Sequence, residues 1–207
     1  MSAISDELSL EHRFVDGDDD APVLVLLHGT GGGPDDLLGV ASELAPSAAV
    51  LAPVGPVSEG GMTRWFRRHA EGIFDHEDVL RRTHQLADFL VAARREYPIA
   101  DRRFVAVGFS NGANIATAVA MFRPDALQEV AAFAGMLPHP EPPEHDLAGT
   151  RVFLANGERD PMAPIDSADR LVGLLRDRSA EVRTHRHPGG HELTMDALRE
   201  ARDWFAG

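Results

Sequence analysis

The 207-residue chain contains no cysteine, and none of its 20 basic residues is lysine. Without cysteine there is no disulfide, no thiolate nucleophile and no cysteine-ligated zinc site. Long apolar runs are also missing: no stretch approaches the roughly 18 apolar residues of a membrane span. The first twenty residues, Met1 to Asp20, have neither a basic start nor the apolar centre of a signal peptide. A cytoplasmic protein is the expectation. Positive charge is scarce, since 33 acidic residues against 20 arginines give a net charge of −13. Such a surplus repels phosphate backbones and anionic membranes, so neither nucleic acid nor membrane is expected as a partner. A high-salt cytoplasm would account for the acidic, arginine-only composition, and so would a GC-rich genome.

What is present fits one ordinary domain, spanning 1–207 and long enough to bury roughly 70% of the surface its unfolded form exposes. Short, nearly unbroken apolar runs stand at Val23–Leu27, Ala48–Ala52, Phe104–Val107, Val130–Ala134 and Val152–Ala155. They suit strands buried on both faces. Between them lie segments with helical spacing at Pro34–Leu44, His76–Tyr97, Asn111–Phe122, Ile165–Asp177 and Glu192–Phe205. The alternation predicts an α/β fold with a mostly parallel central sheet flanked by helices. Two long segments fall outside it. Residues 54–75 carry Met62, Trp65, Phe66 and Phe74 beside Arg64, Arg67 and Arg68. Residues 135–149 are proline-rich and include Met136 and Leu137.

Candidate chemistry begins at Gly108-Phe109-Ser110-Asn111-Gly112, which follows the apolar run Phe104–Val107 and opens the helical stretch after it. A serine at such a strand–turn–helix junction is forced into an unusual backbone conformation, and the flanking glycines give room where Cβ atoms would collide. The plain alternative is an ordinary glycine-flanked turn. A serine hydroxyl needs a base, and the base needs an orienting carboxylate. His191, after Gly189-Gly190 and ahead of a helix, is the candidate base, with His185 and His187 as rivals. The order serine, acid, histidine that accompanies a serine turn of this kind places the acid late in the chain. Asp160 fits, following the Val152–Ala155 run by a short loop. Glu158 is the alternative, and Asp166 reads as a helix-start residue. A metal site gathering His185, His187, His191 and Asp196 is the competing, disfavoured reading of the histidines.

A further glycine-rich loop, His28-Gly29-Thr30-Gly31-Gly32-Gly33, directly follows the first apolar run. Its Thr30 amide and the Asn111 amide can meet a developing oxyanion. It lacks the P-loop lysine and the dinucleotide fingerprint, which argues against a phosphate cradle.

With these motifs in order, the chain resembles the small carboxylesterase and phospholipase branch of the α/β-hydrolases, the branch that includes acyl-protein thioesterases. Gly157-Glu158-Arg159-Asp160-Pro161 and Gly189-Gly190-His191-Glu192 complete the match, which spans nearly the whole chain. Arg64-Trp65-Phe66 and Glu71–Asp75 look most like bacterial carboxylesterases grouped with quinone-stress hydrolases. The resemblance implies a sheet of about seven or eight strands, mostly parallel, and no cofactor; acyl transfer through a serine needs no metal. The resemblance also implies a small-molecule ester substrate, and a monomer or homodimer is expected. Asn111 and the arginine-rich segment depart from the thioesterase pattern and count against long acyl chains.

The expectation is therefore a serine carboxylesterase acting through an acyl-enzyme on Ser110, with His191 as base and Asp160 as acid. Thioesterase or lysophospholipase activity, and a slow-turnover receptor that keeps the same residues, are the alternatives. Residues 54–75 are expected to cap the pocket, with Arg64, Trp65, Phe66, Met136 and Met162 binding substrate. Trp65 and Phe66 could equally pin the segment to the core, and the arginines could simply pair with surplus carboxylates. A functional arginine there would favour carboxylated esters.

Overall fold

The structure is a computed structural model that describes residues 8–207. In chain order it begins with β1 (His12–Val15), β2 (Val23–Leu27), α1 (Leu38–Leu44) and β3 (Ala49–Pro53). Four short strands follow: β4 (Val57–Glu59), β5 (Met62–Arg64), β6 (Arg68–Ala70) and β7 (Ile73–Phe74). Next come α2 (His76–Glu96), β8 (Phe104–Phe109), α3 (Asn111–Phe122) and β9 (Glu129–Phe133). The chain closes with β10 (Arg151–Gly157), α4 (Ile165–Arg176), β11 (Glu181–His187) and α5 (Met195–Ala206).

Seven strands form the central sheet in the order β1-β3-β2-β8-β9-β10-β11. All pairs are parallel except β1 against β3. The expected mostly parallel sheet is therefore found, with an antiparallel strand at one edge. Every residue of β2 is buried, and because successive side chains point to opposite faces, each feeds one of two apolar layers. Val23, Val25 and Leu27 belong to the apolar layer that also takes in residues of α2, α3 and α4, whereas Leu24 and Leu26 belong to the layer that takes in α1 and α5. This sandwich explains why the strands read as continuous apolar runs.

The chain crosses from β2 outward to β3 and then returns to the other side of β2 to make β8. At that reversal the connections leaving β2 and β8 diverge, opening a crevice at the carboxyl ends of the strands. The glycine-rich loop after β2 and the Ser110 turn after β8 both face it.

Helix boundaries follow local capping. The Asp75 side chain accepts the Asp78 amide at 3.1 Å and starts α2, with Val79, Thr83, Leu86, Leu90 and Ala93 as its buried stripe. Two predicted helices start later than their periodicity suggests. α1 begins at Leu38 because the Asp36 carboxylate takes the Gly33 amide and holds residues 33–36 in a turn. α5 begins at Met195 because Thr194, not a residue near Glu192, caps the Ala197 amide. Segment 54–75 is not a plain loop, since β4 pairs with β5 and β6 with β7 as two small antiparallel hairpins. Among the described residues no helix is long and apolar enough to cross a membrane.

Candidate active site

Ser110 sits between β8 and α3 with φ 53° and ψ −115°, a strained conformation for a residue bearing a side chain. Its surroundings enforce this. A Cβ on Gly108 would lie 2.5 Å from the Gly112 carbonyl oxygen, and one on Gly112 only 1.8 Å from that of Leu27. Glycine at both positions lets β2, β8 and α3 close up, and the Ser110 amide donates to the Phe133 carbonyl at 2.8 Å. The hydroxyl is thereby raised into the crevice.

Two loops from the other half of the sheet meet it there. His191 Nε2 lies 2.8 Å from Ser110 Oγ, and His191 Nδ1 lies 2.7 Å from Asp160 Oδ2. The Asp160 side chain is fully buried. Its second oxygen, Oδ1, accepts the amides of Met162 at 2.8 Å and Ala163 at 3.0 Å. A carboxylate with only one oxygen left for the imidazole fixes the ring with Nδ1 protonated and Nε2 free to accept. The loops are laced together by the Glu158 amide on the His187 carbonyl at 2.8 Å and the Arg159 amide on the Gly189 carbonyl at 3.0 Å.

The rival residues lie elsewhere. Glu158 is exposed, and Asp166 stands in the first turn of α4, as its helix-start reading expects. His185 and His187 stay on β11, His187 receiving the Gly189 amide at 3.2 Å. Among the described residues no group of three or more His, Cys, Asp or Glu is placed to hold a metal ion.

Across the crevice, His28 is 1% exposed and fixed at both ring nitrogens. Nδ1 donates to the Gly29 carbonyl at 2.7 Å and Nε2 accepts the Gly55 amide at 2.9 Å. Burial pulls its pKa below the usual histidine value, against the opposing pull of the Gly29 carbonyl and Asp36. The loop it braces carries Thr30, whose amide has no backbone acceptor among the described residues; the same holds for the Asn111 amide. Both residues line the same cavity as Ser110. Unpaired backbone donors beside a hydroxyl can receive a negative oxygen.

That cavity, of about 300 Å³, is also lined by Arg64, Met136 and Met162. Trp65 and Phe66, expected as apolar pocket wall, do not line it. Trp65 is 1% exposed, its indole donating to the His28 carbonyl at 2.9 Å and its amide to Asn111 Oδ1 at 2.7 Å. Phe66 is fully buried, edge-on to Phe74 at 5.0 Å. Both pin the hairpin segment to the core, the second of the two readings the sequence allowed. Met62, Phe74 and Asn114 take their place in the lining. The apolar character of residues 54–75 hinted at the first two, and Asn114, one turn after Ser110 on α3, shares its face of the helix.

The arginines of this segment come with partners. Arg64, 3% exposed, donates Nη1 to Thr30 Oγ1 at 2.8 Å and Nε to the Phe66 carbonyl at 3.2 Å, with Glu59 at 3.1 Å. Burial and then the neighbouring Arg68 pull its pKa down, with Glu59 and Glu71 opposing. Arg68 pairs with Glu59 at 3.0 Å and with Glu71. Arg67 turns to Asp75 at 3.0 Å and does not line the cavity.

The comparisons with known proteins agree with this architecture. The family model of phospholipase/carboxylesterases matches residues 14–206. "Putative hydrolase MhqD" of Bacillus subtilis (strain 168) is 37% identical over 196 residues, covering 95% of this chain and 98% of its own. The Bacillus cereus carboxylesterase structure superposes with a TM-score of 0.92 at 41% identity, covering 96% of this chain and 94% of that one. A structure of YahD with malic acid gives 0.87 at 28% identity, covering 95% and 98%. Motif order, sheet topology and sequence similarity over nearly the full length thus lead to one assignment: the chain belongs to the phospholipase/carboxylesterase family of α/β-hydrolases.

Proposed function

We propose that this hydrolase is a serine carboxylesterase that cleaves small carboxylic esters through an acyl-enzyme on Ser110. The observation that carries the reading is the single imidazole of His191, 2.8 Å from the Ser110 hydroxyl and 2.7 Å from the buried Asp160 carboxylate. In the first half-reaction His191 Nε2 takes the Ser110 proton as Oγ attacks the ester carbonyl carbon. The carbonyl oxygen becomes an oxyanion held by the Thr30 and Asn111 amides. As the tetrahedral centre collapses, the imidazolium returns its proton to the departing alkoxy oxygen, and the alcohol leaves. Water then repeats the sequence on the acyl-enzyme, His191 taking its proton and returning one to Ser110 Oγ as the acid is released. Asp160 stabilises the imidazolium and keeps its tautomer. Every proton and bond in this scheme is handled by side chains and amides of the chain itself.

Residues 54–75 cap the pocket in this reading, Met62, Arg64, Arg68, Glu71 and Phe74 forming one wall of the cavity. A space of about 300 Å³ suits a small substrate. The test is covalent labelling by a fluorophosphonate together with turnover of a p-nitrophenyl ester. Ser110→Ala is expected to lose the label and to reduce turnover by roughly 10⁶. Full labelling of Ser110→Ala would refute the assignment, and labelling of the wild type without turnover would favour a receptor.

A further inference from the structure

Among the described residues two cavities open on Ser110, and Thr30, Met162 and His191 border both. The first holds Asn111, Asn114 and Ala134 on the α3 and β9 side of the serine, facing Arg64. The second, of about 460 Å³, is walled mainly by Leu37, Val40, Phe109 and Leu193, with the exposed carboxylate of Asp36 also in its lining. Phe109 packs 5.2 Å from the His191 ring, and Leu193 lies two residues beyond it. Beyond the border they share, the second cavity thus extends along His191 and Phe109, and the first toward Arg64 and Asn114.

The chemistry of ester cleavage makes this asymmetry decisive. With the carbonyl oxygen on the Thr30 and Asn111 amides, the two remaining substituents diverge. The leaving oxygen must lie within hydrogen-bond reach of His191, because that imidazolium supplies its proton. The alcohol side of the ester accordingly points toward Phe109 and Leu193, and the acyl side toward Arg64 and Asn114.

The polar groups of the first cavity define what the acyl group carries. Arg64 uses Nε and Nη1 inside the protein, and Nη2 has no protein acceptor among the described residues. Asn114 Oδ1 accepts the Met136 amide at 2.8 Å, leaving the amide nitrogen as its free end. Both offer donors. The positive charge of this wall is nevertheless compensated, since Arg64 and Arg68 are paired with Glu59, outside the lining, and Glu71, within it. A substrate carboxylate would gain no net attraction from this paired wall and would lie beside Glu71, whereas a neutral acceptor takes the free donors of Arg64 and Asn114 without that repulsion.

Resting on the serine esterase reading, we infer that the substrates are esters of a compact acid bearing a neutral hydrogen-bond acceptor, such as a hydroxy, alkoxy or keto acid, with an apolar alcohol. Benzyl methoxyacetate and its transposed partner 2-methoxyethyl phenylacetate test the orientation, each kcat/KM being divided by the ester's rate with hydroxide. The first is expected to exceed the second by about tenfold. Benzyl methoxyacetate should likewise exceed its isostere benzyl butanoate, and benzyl hydrogen succinate should show no advantage over either. Asn114→Asp keeps an acceptor for the Met136 amide but removes the donor, and should erase the preference for methoxyacetate over butanoate. Leu193→Ser should reduce the preference for benzyl over methyl methoxyacetate. The wild-type transposed pair needs no variant to fold: a ratio near one, or its inverse, overturns the orientation. Preference for the succinate overturns the neutral-acceptor assignment. If these ratios are flat while hydrolysis still depends on Ser110, only the present inference falls; hydrolysis that survives Ser110→Ala removes the esterase reading beneath it.

Discussion

Gly157 and Gly190 approach more closely than any side chain permits: a Cβ on Gly157 would lie 2.2 Å from the Gly190 carbonyl oxygen. Gly157 opens the loop to Asp160, and Gly190 directly precedes His191. The proposed acid and base are thus held together backbone against backbone, and Gly157→Ala must push the His191 loop away. Displacement on the order of 1 Å in such an arrangement costs roughly 10²-fold in rate. The expected result is a folded protein with kcat lowered by about that factor. Gly173→Ala, in α4 with nothing within 4 Å of the added Cβ, is the control and should leave kcat unchanged. Wild-type turnover in Gly157→Ala would show that the loops need not touch.

Asp160→Asn is expected to fold and to lose roughly 10⁴ in kcat. Its amide oxygen can still accept the Met162 and Ala163 amides, which Asp160 Oδ1 now holds at 2.8 and 3.0 Å. Its nitrogen, however, then faces His191 Nδ1 as a donor and favours the tautomer that cannot accept the serine proton. Glu158→Gln, at an exposed position, should change turnover little. The opposite ranking, measured with the same ester, would transfer the acid's role to Glu158.

His28 gives the site a pH dependence separate from that of His191. Its neutral ring donates to Gly29 and accepts from Gly55, and protonation would set two donors against each other at Nε2. Burial is the main cause of its lowered pKa relative to 6.5. The fold therefore favours the neutral form. Its stabilisation is complete above pH 6.5 and is lost as pH falls through the lowered value. His28→Asn, too short to span both backbone groups, should cost about 1–3 kcal/mol near neutral pH. Thermal unfolding of the two proteins between about pH 8 and pH 5 should show the gap in Tm narrowing toward acid. A constant gap would mean that the ring's protonation state does not matter to the loop.

Much of this was legible in the chain. β2 and β8 are apolar without interruption because helices cover both faces of the sheet, and a residue buried on either side must be apolar. The glycines around Ser110 are dictated by contacts of 2.5 Å and less, so their spacing is a mark that the turn leaves in the sequence itself. His191 and Asp160 become the candidate base and acid from chain order once that turn is recognised. Less was legible at helix starts, where the apolar stripe runs past the true first turn and a single side chain, Thr194 or Asp36, decides the boundary.

The sequence by itself determined the strand–helix alternation, the serine turn and the candidates for acid and base, because each is a local pattern or a fixed order along the chain. Only the tertiary structure decided which residues of 54–75 line the cavity beside Ser110. In hairpins this short, two to three residues per strand, no periodicity marks an inward face, and side-chain direction is set by what the hairpin packs against. Trp65 and Phe66 turned to the core because the His28 carbonyl and Phe74 lay there to receive them. Arg64 kept its charge in the lining because Glu59 and the Phe66 carbonyl were at hand. Such partnerships join residues up to 46 positions apart, and no pattern along the chain encodes them.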